Sequence, residues 1–270
     1  PKKGHRLIVA DFSAIEARVI AWLAGEQWRL DVFNTHGKIY EASAEQMFHL
    51  PPGSVKKGDP MRQKGKIAEL ALGYGGSTGA LISMGALAMG LKEEELKPLV
   101  YSWRSANPNI TKFWWDTDAA AKATINTQTP SYLPHGIAFR KKGSLLRLRL
   151  PNGRELSYVK PMVINDDITY EGTLQGSGHW GRIESYGPKL VENIVQAVAR
   201  DCLAETIMKV EAMGYPVVFH VHDELICEVP EAKADQALKY ILEVMATPIP
   251  WAEGLPLKGD GYQCEYYRKD

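Results

Sequence analysis

Two acidic residues in this chain each interrupt an apolar run: Asp11 follows residues 7–10, and Asp223 sits between the alternating flanks 217–221 and 225–229. Carboxylates are hard oxygen donors, and Mg²⁺ is often held by only one or two of them together with substrate phosphates. Nucleotidyl transfer to a hydroxyl needs a deprotonated nucleophile, in-line geometry and neutralised phosphate charge, which a pair of metal ions about 3.5–4 Å apart supplies. A second pattern points the same way. Arg62, Lys66, Leu70 and Tyr74 recur every four residues and on an α-helix would form a gently drifting stripe about 18 Å long. Two cations then share one face, at a length suited to a triphosphate at one end and a base at the other.

Each pattern has a plainer explanation. Asp is a common turn residue, so an acidic pair at a hairpin tip needs no function, and Arg62, Lys64 and Lys66 also read as a solvated basic face. Ser13 followed three residues later by Glu16 has the form of a helix capping box. His220 and His222 alternate on one strand and would suit Zn²⁺ in a metal-dependent phosphohydrolase or nuclease, a reading that leaves Arg62 and Lys66 unexplained.

Three stretches taken together favour the functional reading. Asp11-Phe12-Ser13-Ala14-Ile15-Glu16-Ala17-Arg18, Arg62-Gln63-Lys64-Gly65-Lys66 running on to Tyr74-Gly75, and Val221-His222-Asp223-Glu224-Leu225 resemble, in that order, the A, B and C motifs of family A DNA polymerases, the phage-like branch in particular. The resemblance implies a template-directed DNA polymerase acting on primer-template DNA and dNTP, in which Asp11 and Asp223 ligate two Mg²⁺ ions, Mn²⁺ substituting. The backbone carbonyl of Phe12 would be a further ligand and Glu224 a nearby helper. It assigns Arg62 and Lys66 to the triphosphate, Lys66 also to protonation of the leaving pyrophosphate, Tyr74 to the templating-base site, and Glu16 to exclusion of a ribose 2′-hydroxyl. Leu70 stands where many relatives carry Phe or Tyr near the incoming sugar and base. Tyr40 stands where several have a phosphate-binding His, although a packed Tyr is the simpler reading, and Ala14 replaces a polar Gln. Gln196 corresponds to an amide reaching the minor groove near the primer terminus, where acceptors occur in every base pair, with Arg200 and His222 as weaker DNA contacts. A non-catalytic nucleic-acid-binding remnant of a polymerase is a third reading, against which the retained Asp11, Asp223, Arg62 and Lys66 speak.

Positioning these residues calls for an α+β chain. Residues 7–10 read as a buried strand that changes to helical spacing at Ile15, Val19, Trp22 and Leu23. Asp59 and Pro60 open a helix over 61–72 that glycines end. Further helices are expected over 91–105, 110–123 and 190–213, and a hairpin over 146–159. A strand-turn-strand over 216–229, a helix over 232–245 and a short strand near Leu257 complete the pattern. The family resemblance makes this a right-hand polymerase palm, an antiparallel sheet with helices, with an inserted helical fingers subdomain. It divides the chain at 1–24 (palm, motif A), 25–125 (fingers, with the motif B helix about 60–73) and 126–270 (palm, with the motif C hairpin about 216–229). Only ten residues precede Asp11, where the family places its thumb and any 3′→5′ proofreading domain. The thumb is therefore expected to be absent, with an upstream thumb or exonuclease domain or subunit as a partner.

Composition excludes little else. With 45% apolar residues among 270 the chain can bury a sizeable core, and 32 basic against 32 acidic residues give a formal net charge of zero, so any phosphate-binding surface must be local. The basic cluster Arg140, Lys141, Lys142, Arg147 and Arg149 is compatible with holding phosphates but equally with solvated surface, and the Trp114-Trp115 pair reads as core. Three widely spaced cysteines suit a reducing compartment and packing roles. With no long apolar run and no signal-like start, a cytoplasmic location in a bacterial or phage-infected cell and no membrane contact are expected.

Overall fold

The computed structural model describes residues 1–268. Strand β1 (His5–Phe12) extends the expected run by two residues at each end because neighbouring strands pair with both flanks. It leads into α1 (Ile15–Ala24), α2 (Gln27–Asn34) and α3 (Ile39–Met47). Helix α4 (Pro60–Leu72) begins as its sequence predicts: the Asp59 side chain accepts a hydrogen bond from the Met61 N–H at 2.8 Å, and Pro60 fills the first turn, where a missing N–H costs nothing. Helices α5 (Thr78–Ser83), α6 (Glu93–Ala106) and α7 (Pro108–Thr127) follow. Six strands come next, β2 (Ser131–Tyr132), β3 (Ala138–Lys142), β4 (Leu145–Arg149), β5 (Glu155–Ile164), β6 (Asp167–Thr173) and β7 (Trp180–Ser185). The chain ends with α8 (Gly187–Ala212), β8 (Val217–Val221), β9 (Glu224–Pro230), α9 (Ala234–Met245) and β10 (Gly259–Cys264). The last strand starts two residues after Leu257, where its pairing with β1 begins at Gly259 opposite Phe12. This is the expected α+β class, and no helix among the described residues is long and apolar enough to cross a membrane.

The chain divides into two compact units, Pro1–Val19 with Val195–Asp270, and Ile20–Ile194. The family resemblance divides it by role at 24/25 and 125/126 instead; residues 126–194 pack with the second unit because β3 and β5 lie against α7.

In the first unit the strands run antiparallel in the order β10-β1-β9-β8. Ile8, Ala10 and Phe12 project to one face and are fully buried, as are Leu225 and Cys227 opposite them. Helix α9 covers that face, its Leu238 lying against the Cα of Gly261, which pairs with Ala10. Leu7, Val9, Ile226 and Cys264 occupy the other face, covered by Val221, Tyr262 and Tyr267. Cys202, Cys227 and Cys264 are buried thiols, and burial pushes the first two up to about 12, which keeps them protonated and unreactive.

The second unit contains a helical cluster and an antiparallel sheet in the order β2-β3-β4-β5-β6-β7. At the centre of the helices, Glu69 of α4 is a buried acceptor hub: Arg29 Nη1 donates to it at 2.8 Å, Ser43 Oγ at 2.8 Å and Trp103 Nε1 at 3.0 Å. The Arg29–Glu69 ion pair is almost fully dry, with side chains 1% and 4% exposed, and Arg29 Nη1 also donates to Asn107 Oδ1 at 3.0 Å. Trp103 and Trp114 stack with ring centroids 5.9 Å apart. The tryptophan pair expected in the core is split, since Trp114 is buried and Trp115 is 59% exposed: successive helix positions point about 100° apart.

Removing one member of a buried ion pair leaves the other charge uncompensated, at a cost of about 3–5 kcal/mol. Arg29→Ala should lower the unfolding free energy by about that amount in urea titrations; a loss below about 1 kcal/mol would contradict a buried hub.

Candidate active site

The acidic residues meet at one end of the four-stranded sheet. Asp11 pairs in register with Glu224 of β9, and the Phe12 N–H donates to the Asp223 carbonyl at 3.3 Å, so the strand bearing Asp11 is bonded directly to the hairpin tip bearing Asp223. Val221 and Glu224 close that hairpin around a two-residue turn, His222-Asp223. His222 adopts φ +51°, a left-handed conformation that costs a non-glycine residue about 1–2 kcal/mol and is held only because both flanking strands fix it. Asp11 is exposed, Asp223 half-buried and Glu224 buried at 7% exposure. Period-two alternation places Asp11 and Glu224 on the face of Val9 and Ile226.

Two supports of this end were not legible in the sequence. Tyr267 donates its hydroxyl to Glu224 Oε1 and packs edge-on against Phe219 at 5.1 Å between centroids, so a residue from beyond the last strand holds the carboxylate. The hydrogen bond to Glu224 pushes the Tyr267 phenol up to about 12. Arg18 is buried, its Nε donating to the Ser13 carbonyl at 2.7 Å and its Nη1 to the Pro256 carbonyl at 2.9 Å; desolvation lowers its pKa to about 10, still well above neutrality. These bonds brace the turn after Phe12, whose next N–H, from Ser13, donates to Lys258 O at 2.9 Å. An isolated Arg in a helix pattern gives no sign of either partner.

The expected capping box is out of register. The first intrahelical bond of α1 runs from Arg18 N–H to Ala14 O, so Ala14, with φ +51°, is the capping residue and Glu16 lies in the first turn, exposed to solvent.

Gln196 and Arg200 lie one turn apart on α8, both exposed. The Arg200 guanidinium meets the His220 ring, with Nη1–Nδ1 3.3 Å and Nη2–Nε2 3.2 Å. The zinc pairing of His220 with His222 fails on geometry: β8 ends at Val221, so His222 is a turn residue outside the strand alternation.

In the second unit, α4 carries Arg62, Lys66 and Leu70 on one stripe, with Arg62 and Lys66 half-buried and Leu70 50% exposed. Tyr74 falls outside the helix, in the glycine turn beyond it, so the stripe expected to be continuous ends at Leu70. Gly75 in that turn has φ +76°, and a Cβ there would stand 2.6 Å from Pro188. Gly65 explains the company of Arg62: its absent Cβ would lie 2.2 Å from the Tyr40 carbonyl, so α3 approaches α4 closely. That approach sets the Tyr40 ring 5.4 Å from the Arg62 guanidinium and Glu41 Oε1 2.8 Å from Arg62 Nε. Burial opposes ionisation of Glu41, but Arg62 outweighs it and holds the carboxyl below its usual range. Burial also raises the Tyr40 phenol.

The donor set suits a hard divalent cation. Asp11 and Asp223 offer carboxylate oxygens at a partly exposed edge, while among the described residues no three His, Cys, Asp or Glu side chains form a ready-made cage. A pair of carboxylates completed by substrate phosphates is how Mg²⁺ is commonly bound.

A phenol whose folded pKa is raised contributes stability that is present below its ordinary value of 10 and is lost as pH rises through about 12. Tyr267→Phe should therefore lower the urea midpoint at pH 8 and flatten the loss of stability between pH 10 and 12; an unchanged profile would show that the bond to Glu224 is not made.

Residues 1–133 match the model of DNA polymerase family A. The whole chain is 56% identical over 276 residues to a DNA polymerase of Bacillus phage SP02, covering 42% of that protein. It is 24% identical over 250 residues, 92% of the chain, to the thermostable DNA polymerase I of Thermus filiformis, covering 26% of it. The chain thus spans less than half the length of these relatives. The fold is similar to that of the POL domain of Pol1 from M. smegmatis, solved in complex with DNA primer-template and dNTP, with a TM-score of 0.64 at 19% identity over 97% of this chain and 40% of the other. In motifs and in sequence the chain is similar to the family A DNA polymerases, a phage enzyme among them.

Proposed function

We propose that this chain is the palm and fingers portion of a template-directed DNA polymerase that joins a dNTP to a primer 3′-hydroxyl with release of pyrophosphate. The observation that carries the reading is the bonding of the Asp11 strand to the Asp223 turn, which brings two carboxylates to one sheet end beside Glu224. Asp11, Asp223 and the Phe12 carbonyl hold two Mg²⁺ ions, Mn²⁺ substituting, which when bound supply charge neutralisation and ease deprotonation of the attacking hydroxyl.

The remaining roles belong to the chain's own residues. Arg62 and Lys66 bind the triphosphate, Arg62 exchanging its bond to Glu41 for phosphate oxygens, which its planar fork fits well. Lys66 donates a proton to the departing pyrophosphate. Tyr40 and Leu70 line the nucleotide, Tyr74 shapes the templating-base site, and Glu16 excludes the 2′-hydroxyl. Glu224 keeps its place through Tyr267 and supports the neighbouring carboxylates. Gln196 donates to minor-groove acceptors at the primer end, with Arg200 and His222 nearby in sequence roles as DNA contacts.

Loss of a metal-holding carboxylate removes several kcal/mol of transition-state stabilisation. Asp223→Asn should reduce extension of a labelled hairpin primer-template by at least about a hundredfold at saturating Mg²⁺, with chelation of the metal abolishing extension; extension that survives the substitution would contradict the assignment. In the same assay Glu16→Ala should raise ribonucleotide incorporation relative to deoxyribonucleotide, and unchanged sugar selectivity would remove that role.

A further inference from the structure

The solvent face of β2-β3-β4 has a charge pattern that the polymerase reading leaves unused. Register places Arg140 directly opposite Arg147, and Lys142 and Arg149 on the same face, while Lys141 turns to the other side, where its Nζ donates to Ile125 O at 3.4 Å. The five-residue basic cluster of the sequence is therefore four cations on one exposed face. Only Glu155, 4.0 Å from Arg147, offsets them on β4 and β5; among the described residues Arg140, Lys142 and Arg149 form no ion pair. Like charges directly opposite on neighbouring strands destabilise a sheet, so the fold carries a cost here that folding alone does not explain. Tyr132, 69% exposed, lies on the same face at the sheet edge, separated from Arg149 in the register by Ala138.

We infer that this face is an accessory seat for single-stranded DNA, with Arg140, Lys142, Arg147 and Arg149 on the phosphates and Tyr132 stacked on a base. Charge complementarity selects a polyanion, and three of the four cations are arginines, whose planar forks fit phosphate oxygens. Cations two residues apart on a strand stand about 6.8 Å apart, comparable with the repeat of an unstacked sugar-phosphate backbone. A cationic track beside an exposed aromatic is the usual means of holding single strands without reading sequence.

The test is fluorescence anisotropy of a labelled oligo-dT 12-mer titrated with the whole chain between 50 and 200 mM KCl, in EDTA and without dNTP. No catalysis is needed, so the result stands whether or not the polymerase reading does. For single strands each lost phosphate contact reduces the salt slope by about 0.7. The triple variant Arg140→Ser, Lys142→Ser, Arg149→Ser should lose about 2 from the slope. Tyr132→Ala should keep the slope and weaken binding at least about fivefold. A control triple at exposed sites, Lys97→Ser, Lys233→Ser, Lys239→Ser, makes the same charge change and should bind like the parent. Equal loss in both triples, no loss in the first, or competition by poly-glutamate as effective as by unlabelled oligonucleotide would each overturn the proposal. If the triple variant melts at lower temperature, Arg140→Gln alone decides it through a slope change of about 0.7.

Discussion

The register of β1 against the β8-β9 hairpin is the constraint on which the catalytic reading depends. Strand side chains alternate with a period of two, so a slip of one residue would turn Asp11 into the packed face beneath α9 and Phe12 out toward the acidic end. Several features forbid the slip. Ile8, Ala10 and Phe12 fill a fully buried face, with a contribution of roughly 1.5–3 kcal/mol for each large side chain. The Phe12 N–H is bonded to Asp223 O and the Ser13 N–H to Lys258 O, which fixes the strand end on both sides. Buried Arg18 ties the turn that follows to the Pro256 segment. Acidic residues can then sit close together at a partly exposed edge, although their mutual repulsion opposes it, because hydrophobic packing a few ångströms away determines where the backbone runs.

The second unit treats its basic helix by similar means with different chemistry. Helix α4 is anchored from beneath by Glu69 and its donors from α2, α3 and α6, and its close approach to α3 depends on the missing side chain of Gly65. With the buried side so fixed, Arg62, Lys66 and Leu70 are presented along the remaining face. Arg62 rests on Glu41 and over the Tyr40 ring, an arrangement that keeps a long flexible cation extended.

Local signals were the legible part of the sequence. The Asp59-Pro60 start of α4, the apolar alternation around Asp223 and the 3.6-residue spacing after Ser13 all encode structure within a few residues, and those elements form where expected. Partners distant in sequence were not legible: Glu224 with Tyr267, Arg29 with Glu69, Arg18 with Pro256 and Arg200 with His220 are contacts between segments whose meeting depends on the fold. The same limit explains the smaller departures. Tyr74 continues the spacing of four but not the helix, because the glycines after Leu72 end it, and the basic cluster at 140–149 divides between two faces only once β3 and β4 are paired.

The most direct test of the carboxylate pair is dNTP binding by calorimetry, with Mg²⁺ and with EDTA, in the parent chain and in the double variant Asp11→Asn, Asp223→Asn. If these two residues hold the cations that bridge protein and triphosphate, Mg²⁺ should tighten binding by at least about tenfold in the parent, equivalent to about 1.4 kcal/mol, and by nothing in the variant, with the residual affinity supplied by Arg62 and Lys66. A Mg²⁺ increment of the same size in both proteins would contradict the account.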